Sequence, residues 1–100
     1  MIKRLTMWHA KEGVSRDEAL WHWRHPHAEL VMDVPGLRGY VQGHYSESPE
    51  GGEVGYTGVG EIWFDDFESA TTATRSSEWA AVIADAASFI DLDSIVAVWV

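Results

Sequence analysis

The sequence contains no cysteine among its 100 residues. Disulfide bonds, thiolate zinc sites, iron–sulfur clusters and a cysteine nucleophile are therefore excluded. The sequence also has no apolar run of the length that a signal-peptide core or a membrane span requires. We therefore expect a cytoplasmic protein that does not bind membranes.

Basic residues are also few, with 7 Lys and Arg against 16 Asp and Glu, which gives a formal net charge of −9. Nucleic acids and anionic membranes are bound by clustered basic side chains, and here the basic residues are scattered. We expect neither kind of partner. Aromatic residues, in contrast, are abundant for the length, with six Trp, three Tyr and three Phe. Some of them should lie at an interface or in a pocket.

Hydrophobic periodicity and turn residues predict strands and helices in the order β-α-β-β-α-β. The predicted strands are IKRLTMWH, LRGYVQGHY, YTGVGEIWF and SIVAVWV, and the turn-rich SESPEGGEVG is predicted as an exposed loop. This order indicates an α+β, ferredoxin-like fold with a four-stranded antiparallel sheet and both helices on one face. We expect a single domain over residues 1–100.

The helix boundaries follow from capping residues. Ser15, followed by Glu18 three residues later, is a capping-box pattern that starts the first helix. Asp66 can cap the second helical region, and Ser76 or Ser77 can cap its continuation. Proline has no N–H to donate, so Pro26 should break the first helix near the preceding residue and restart it.

Alternation along the strands divides the sheet side chains into two sets. The apolar, glycine-rich set should pack on the helices: Leu5, Met7, Leu37, Gly39, Val41, Gly43, Gly58, Gly60, Ile62 and Phe64. The polar–aromatic set should lie on the opposite face: Arg4, Thr6, Trp8, Arg38, Tyr40, Gln42, His44, Val59, Glu61 and Trp63. Two such faces packed together in a two-fold homodimer would bury each other. The last strand is apolar on both sides, as expected for a strand covered on both faces.

The stretch HWRHPHAELV, followed by PGLRGYVQGH, resembles the EthD family of dimeric α/β-barrel proteins. The matching residues are His22, Trp23, Arg24, His27, Ala28, Leu30, Val31, Pro35, Gly36, Leu37, Arg38, Tyr40 and His44. The later GEIWFDDFES and FIDLD are also similar to the family, whereas Pro26 and Glu29 depart from its pattern. The resemblance implies a ferredoxin-like protomer and a homodimer formed by sheet-to-sheet packing. It also implies a link with bacterial catabolism, such as degradation of an alkyl ether.

Three residues are candidates for catalysis. His27 lies on a helical seam with Trp23 and Leu30, so its ring faces inward, and its near-neutral pKa suits proton transfer. His44 ends a strand beside the predicted loop, where reactive groups are common. Tyr40 can donate a hydrogen bond to a developing negative oxygen. The residues expected to line the pocket are Trp23, Arg38, Glu61 and Trp63, and the pocket lies either between helix and sheet or inside the dimer barrel.

Each candidate also has a structural interpretation. His27 is then a core histidine bonded to a backbone carbonyl, and Glu61 pairs with Arg38 in the dimer interface. His22 and His25 are predicted to lie on a different side of the helix from His27. Because the three rings do not converge, we expect no metal, and we expect no cofactor.

The sequence therefore predicts a protein that binds or transforms a small hydrophobic, oxygenated compound by cofactor-free acid/base or oxidative chemistry. An oxidoreductase, an isomerase and a cyclase are all compatible with this reading. One alternative is a non-enzymatic accessory protein that holds a reactive intermediate for a partner oxygenase. Another is a haem-binding relative with His27 or His44 as the axial ligand.

Overall fold

A computed structural model of the protein describes residues 1–44, 47–52 and 55–100. Its strands are β1 (Ile2–Trp8), β2 (Gly39–Gly43), β3 (Gly58–Phe64) and β4 (Val96–Trp99). Its helices are α1 (Arg16–His22), a π-helical segment (Trp23–His27), α2 (Ala28–Met32), α3 (Phe67–Thr74), α4 (Ser77–Ala86) and a 3₁₀ turn (Leu92–Ser94). Parts of the predicted second strand and loop, at Tyr45, Ser46, Glu53 and Val54, lie outside the described residues.

The four strands form one antiparallel sheet in the order β2-β3-β1-β4. The two central strands, β1 and β3, are adjacent, and β2 and β4 form the edges. This is the ferredoxin-like α+β arrangement that the element order predicted. No helix in the described part of the chain is long and apolar enough to cross a membrane.

Three predicted helix caps are confirmed. The Ser15 hydroxyl accepts a hydrogen bond from the Glu18 N–H at 3.1 Å, and the Asp66 carboxylate accepts one from the Ser69 N–H at 2.7 Å. Ser76, rather than Ser77, caps α4. These bonds satisfy N–H groups that the first turn of a helix leaves without partners.

The helix is not interrupted at Pro26, contrary to the prediction of a break near His25. Residues Trp23–His27 form a π-helical segment that joins α1 directly to α2. A π turn is wider than an α turn, and such segments are found where a residue cannot fit the regular ladder of bonds. The chain thus absorbs the proline within the helix instead of ending it.

Strand pairing shows which side chains share a face of the sheet. Ile62 of β3 pairs with Arg4 of β1 on one side and with Tyr40 of β2 on the other, so these three side chains point to the same face. The buried residues Trp8 and Phe64 lie on that face as well. We call this the helix-side face; it comprises Arg4, Thr6, Trp8, Tyr40, Gln42, Gly58, Gly60, Ile62, Phe64, Ala97 and Trp99. The other, the open face, comprises Lys3, Leu5, Met7, Gly39, Val41, Gly43, Val59, Glu61, Trp63, Val96 and Val98.

The predicted faces are therefore correct for β3 and wrong for β1 and β2. Leu5, Met7 and Val41 turn away from the helices, whereas Arg4, Thr6 and Tyr40 turn toward them. Successive residues of a strand point to opposite faces of the sheet. An assignment that is wrong by one residue therefore places every side chain of the strand on the wrong face. All four residues of β4 are exposed in the protomer, so the expected cover of this strand is not supplied by the protomer itself.

The core lies between the helix-side face and the helices. Trp8 packs edge-on against Trp23 and Phe89, with ring centroids 5.1 and 5.6 Å away. Gly58 allows this packing, since a Cβ atom there would lie 2.6 Å from the Trp8 ring. A second group of buried residues, centred on Phe64 and Ile62, packs against α2, α3 and α4.

Candidate functional site

A cavity of about 80 Å³ lies between the helices and the helix-side face of the sheet. Its wall is largely apolar, with contributions from β1, β3, the π-helical segment, α2 and α4. The residues that line it are Arg4, Thr6, Trp8, Trp23, His27, Val31, Tyr40, Gly60, Ile62, Trp79, Val82, Ile83, Ala86, Ile90 and Ile95. Only a few of these carry polar groups, and those groups decide what the cavity can bind.

His27 is buried in the wall of this cavity and is held by a carboxylate from α4. Its Nδ1 donates a hydrogen bond to Oδ2 of Asp85 at 2.8 Å, and Nε2 of His22 donates to the same carboxylate at 3.0 Å. Both imidazole rings also pack on Phe89, with centroid distances of 4.6 Å for His22 and 5.0 Å for His27. Asp85 therefore fixes two histidines of one helix with a single side chain.

The π-helical segment explains how His22 and His27 reach the same carboxylate. In a regular α-helix, residues five apart point roughly 140° away from each other. The wider π turns between them reduce this angle, so that both rings face α4. The prediction that these two histidines lie on different sides of the helix was wrong, because it assumed α-helical geometry with a break at Pro26.

Burial lowers the pKa of His27 below its ordinary value, although the hydrogen bond and charge of Asp85 act in the opposite direction. Burial of Asp85 acts to raise its pKa, but the hydrogen bonds from His22 and His27 outweigh this effect and leave the pKa lowered. At neutral pH the pair is thus a carboxylate and a neutral imidazole whose proton is on Nδ1. Nε2 of His27 has no hydrogen-bond partner among the described residues and keeps a free lone pair.

Tyr40 lies across the cavity from His27 and is part of a chain of polar groups along β2. The Gln42 amide donates to the Trp23 carbonyl at 2.8 Å and to the Tyr40 hydroxyl, and its oxygen faces Nε2 of His44 at 2.7 Å. Because the amide N–H groups point to Trp23 and Tyr40, the amide oxygen must accept from His44. The Tyr40 hydroxyl oxygen is an acceptor in this chain, so its own hydrogen is available to the cavity.

The two outer members of this chain have shifted pKa values. Burial raises the pKa of Tyr40 to about 12, so its hydroxyl is protonated at neutral pH and acts as a donor. The pKa of His44 is lowered by burial and by the charges of Arg24 and Arg16. His44 stacks on Trp23 with a centroid distance of 4.9 Å and does not itself line the cavity.

Arg4 brings a positive charge to the same cavity. Its Nη1 donates to the Thr6 hydroxyl at 2.6 Å, and its guanidinium lies over the Trp79 ring, 5.2 Å from the centroid. Arg4 forms no ion pair with any carboxylate in the described parts of the chain. Burial lowers its pKa from the ordinary value, but a guanidinium remains charged in proteins.

Of the predicted pocket residues, only Trp23 lines this cavity. Arg38 is exposed and pairs with Asp65 at 2.9 Å rather than with Glu61. Glu61 and Trp63 lie on the open face, where Lys3 approaches the Glu61 carboxylate at 3.4 Å and the Trp63 ring at 5.6 Å. Within the protomer, therefore, Glu61 and Arg38 do not pair with each other, because each has a different partner. An ion pair between them in a dimer interface stays a prediction.

Asp85 was not among the residues predicted from the sequence, although a signal for it exists. Asp85 lies three residues after the buried Val82 and next to the buried Ala86, so it is a carboxylate on the apolar side of a helix. A charge in such a position needs a partner. His27 was expected to bond to a backbone carbonyl or to act in a pocket, and the observed partner is this carboxylate. No group of three or more potential metal ligands occurs among residues 1–44, 47–52 and 55–100.

The EthD domain family matches residues 11–93 of this chain. The chain belongs to the EthD family. An EthD family protein from Bacillus halodurans has 27% sequence identity to it and a TM-score of 0.84, with 100% of this chain and 96% of that chain covered. Among proteins with curated descriptions, none matches this EthD chain.

Two more distant structures share the fold. A protein from Arabidopsis thaliana has a TM-score of 0.78 at 18% identity, covering 100% of this chain and 93% of that one. A dimeric ferredoxin-like protein of unknown function from Thermobifida fusca has a TM-score of 0.72 at 16% identity, covering 99% and 88%. Family membership supports a role for this EthD protein in binding or converting a small molecule.

Proposed function

We propose that the protein binds a small, largely apolar organic molecule in the cavity and transfers a proton to or from it. The observation that carries this proposal is the Asp85–His27 pair, in which an imidazole buried in the wall of an apolar cavity is held at 2.8 Å by a half-buried carboxylate. A structural core needs neither group, and burying an imidazole together with most of a carboxylate costs free energy that hydrophobic side chains would not.

His27 is the acid/base group in this proposal. Asp85 holds the Nδ1–H tautomer and orients the ring, which leaves the Nε2 lone pair for a ligand proton. When Nε2 accepts a proton, the nearby carboxylate stabilises the imidazolium. His22 is bonded to the other side of that carboxylate and keeps it in place.

Tyr40 is the hydrogen-bond donor to an oxygen of the ligand. Its hydroxyl accepts from Gln42 and stays protonated at neutral pH, so it can stabilise a negative charge that develops on a carbonyl or phenolic oxygen. His44 acts indirectly: it donates a hydrogen bond to the Gln42 oxygen and so fixes the amide that holds Tyr40. We assign His44 a positioning role rather than contact with the ligand.

This arrangement favours proton transfer, such as isomerisation or cyclisation, over the oxidative alternative, since its polar groups are a base and a donor. It also disfavours the haem-binding alternative, because a cavity of about 80 Å³ is far smaller than a haem group. The cavity instead suits a ligand no larger than one small ring, and a ring of that size requires the wall to move outward, because a cavity that binds benzene measures about 150 Å³. The link with ether catabolism that the family name suggests is compatible with a ligand of this size.

We further propose that the protein is a homodimer that packs open face on open face. Val41, Val96 and Val98 on this face are 49%, 40% and 43% exposed in the protomer. The exposed apolar surface of β4 needs cover, and a two-fold pairing of the sheets supplies it. The relative from Thermobifida fusca with this fold is itself described as dimeric.

The binding proposal is tested with phenol, which has one small ring and one hydroxyl, by nuclear magnetic resonance titration. We expect phenol to shift the signals of Ile62, Val82 and Tyr40 in a saturable manner. The variant Val31→Phe should abolish these shifts because it fills the cavity from α2. The matched control Met32→Phe adds the same ring at an exposed position of the same helix and should leave them unchanged. Shifts that survive Val31→Phe would contradict the proposal.

A further inference from the structure

Arg4 is a charged group at the cavity that the proposed acid/base chemistry does not use. It lies in the middle of β1, a central strand of the sheet, and its side chain turns toward the helices. Apolar residues surround it there, including Ile62, Val82 and Ile83 on the wall of the same cavity. A charged side chain facing the core of a small domain is costly unless a partner compensates it.

The protein supplies only part of that compensation. Of the five N–H groups of a guanidinium, one donates to the Thr6 hydroxyl. The guanidinium also lies over the Trp79 ring, 5.2 Å from the centroid, and this contact uses none of its N–H groups. Burial lowers the pKa of Arg4 with no opposing effect from a nearby carboxylate. In the described ranges, every salt bridge involves other residues.

We infer that the ligand of this cavity carries a carboxylate, and that Arg4 binds it while the apolar body of the ligand lies against Ile62 and Val82. The planar fork of a guanidinium matches a carboxylate with two parallel hydrogen bonds. Thr6 adds to the site, since its hydroxyl oxygen accepts from Arg4 and its hydrogen is free to donate to the ligand. This inference rests on the proposed function and names the class of molecule, a small organic acid.

The positions of the groups give the bound ligand a direction. Arg4 and Tyr40 lie in one row across the sheet, with Ile62 between them on β3, so their strands are about 10 Å apart. An acid bound at Arg4 would extend along this row toward Tyr40 and His27. The proton-transfer groups would then act on an atom several bonds away from the carboxylate, and the carboxylate would serve as an anchor.

The test compares benzoate with benzamide, which has the same shape without the charge, and uses phenol as the index of the cavity itself. We expect wild-type protein to bind benzoate at least tenfold more tightly than benzamide. In Arg4→Gln this preference should disappear, while phenol binding is retained. Arg38→Gln, which removes an exposed arginine paired with Asp65, is the matched control and should keep the preference.

Every other outcome contradicts either the inference about Arg4 alone or the proposed function as well. If phenol and benzamide bind but benzoate is not preferred, or if the preference survives Arg4→Gln, the inference about Arg4 is wrong and the proposed function stands. If none of the three probes binds, both are wrong. Should Arg4→Gln lose its native circular dichroism spectrum, Arg4→Lys decides: it keeps the charge without the fork, and a preference for benzoate that does not fall by at least about threefold would overturn the inference.

Discussion

The covered face of the sheet carries polar side chains and the uncovered face carries apolar ones, which is the opposite of what burial alone would predict. The helix-side face, which is covered by the protein's own helices, carries Arg4, Thr6, Tyr40 and Gln42 among its apolar residues. The open face, which the protomer leaves uncovered, carries Val41, Val96 and Val98. Folding alone would favour the reverse distribution. The polar groups inside are the basis of the proposed ligand site, and the apolar groups outside are the basis of the proposed association surface.

The largest effect should come from breaking the helix-side arrangement at His27. Replacing His27 by Ala removes a buried ring and leaves the Asp85 carboxylate with one partner fewer, so we expect the free energy of unfolding to fall by roughly 2–4 kcal/mol. Denaturant melts measure this. His25→Ala, at an exposed position of the same segment, should change stability by less than about 0.5 kcal/mol.

The same denaturant melts distinguish the contribution of His27 to stability from that of His44. His44 loses a stacking contact with Trp23 and one hydrogen bond on truncation, but it leaves no buried carboxylate behind, so His44→Ala should cost only about 1 kcal/mol. An equal loss of stability in both variants would show that the two histidines have the same structural role. The distinction between a group in the cavity wall and a positioning group would then fail.

The proposed dimer interface on the open face is tested by introducing a charged side chain into it. Val98→Asp places a carboxylate in the proposed sheet-to-sheet contact and should weaken dimerisation by at least about 100-fold, or roughly 2.7 kcal/mol. Light scattering over a range of concentrations measures the monomer fraction. Leu92→Asp is the control, since Leu92 and Val98 are both 43% exposed but only Val98 lies on the open face. A wild-type protein that is monomeric at micromolar concentration would contradict the homodimer.

The response to acid sharpens the comparison, because His27 packs between the helices and the helix-side face and its pKa is lowered by burial. The folded-state pKa of His27 lies below its unfolded value of about 6.5. The unfolded chain therefore takes up the proton first, and stability that is complete above that pH is lost as the pH falls toward the folded-state pKa. The slope is at most about 1.4 kcal/mol per pH unit for one group.

Denaturant melts between pH 8 and pH 5 check this loss. His44 contributes in the same direction, since its pKa is also lowered, so the wild-type slope reflects both rings. His27→Gln should have a shallower slope, with its remaining dependence due to His44. A slope that is the same in His27→Gln and wild type would show that His27 does not titrate differently on folding.

The smallest effect concerns Tyr40. Tyr40→Phe keeps the ring and removes a hydroxyl that is bonded to Gln42 and faces the cavity, so the free energy of unfolding should change by less than about 1 kcal/mol. Phenol binding should weaken about fivefold, which corresponds to the loss of one hydrogen bond of about 1 kcal/mol. Tyr56→Phe is the control, because Tyr56 stacks on His9 and does not line the cavity.

Features encoded within a few residues could be predicted from the sequence. The caps at Ser15 and Asp66 depend on bonds to residues three positions away, and the order of strands and helices follows from local periodicity. The inward position of His27 also followed from a single helical seam. These interactions need no knowledge of what lies across the fold.

The errors arose where a contact spans the fold or where the site itself departs from the usual pattern. The phase of β1 and β2 was reversed because Leu5, Met7 and Val41 look like core residues, and only strand pairing shows that they face outward. Asp85 is 58 residues from His27 along the chain, and nothing local links the two. The pattern of hydrophobic residues misleads at this face because polar side chains, including Arg4 and Tyr40, point toward the helices there.

The π-helical segment has a consequence for the length of the chain. Trp23–His27 holds His22 and His27 on one carboxylate only because its turns contain more residues than an α-helix would. Deleting one residue between the two histidines would return the segment to regular α winding with the rings four positions apart, which separates them by only about 40° around the helix. Both rings would still face α4, and the helix after the deletion would keep nearly its present orientation. Removing a second residue would rotate the rest of the helix by about 100° relative to α1 and take His27 out of the cavity wall. The segment should therefore tolerate the loss of one residue but not of two.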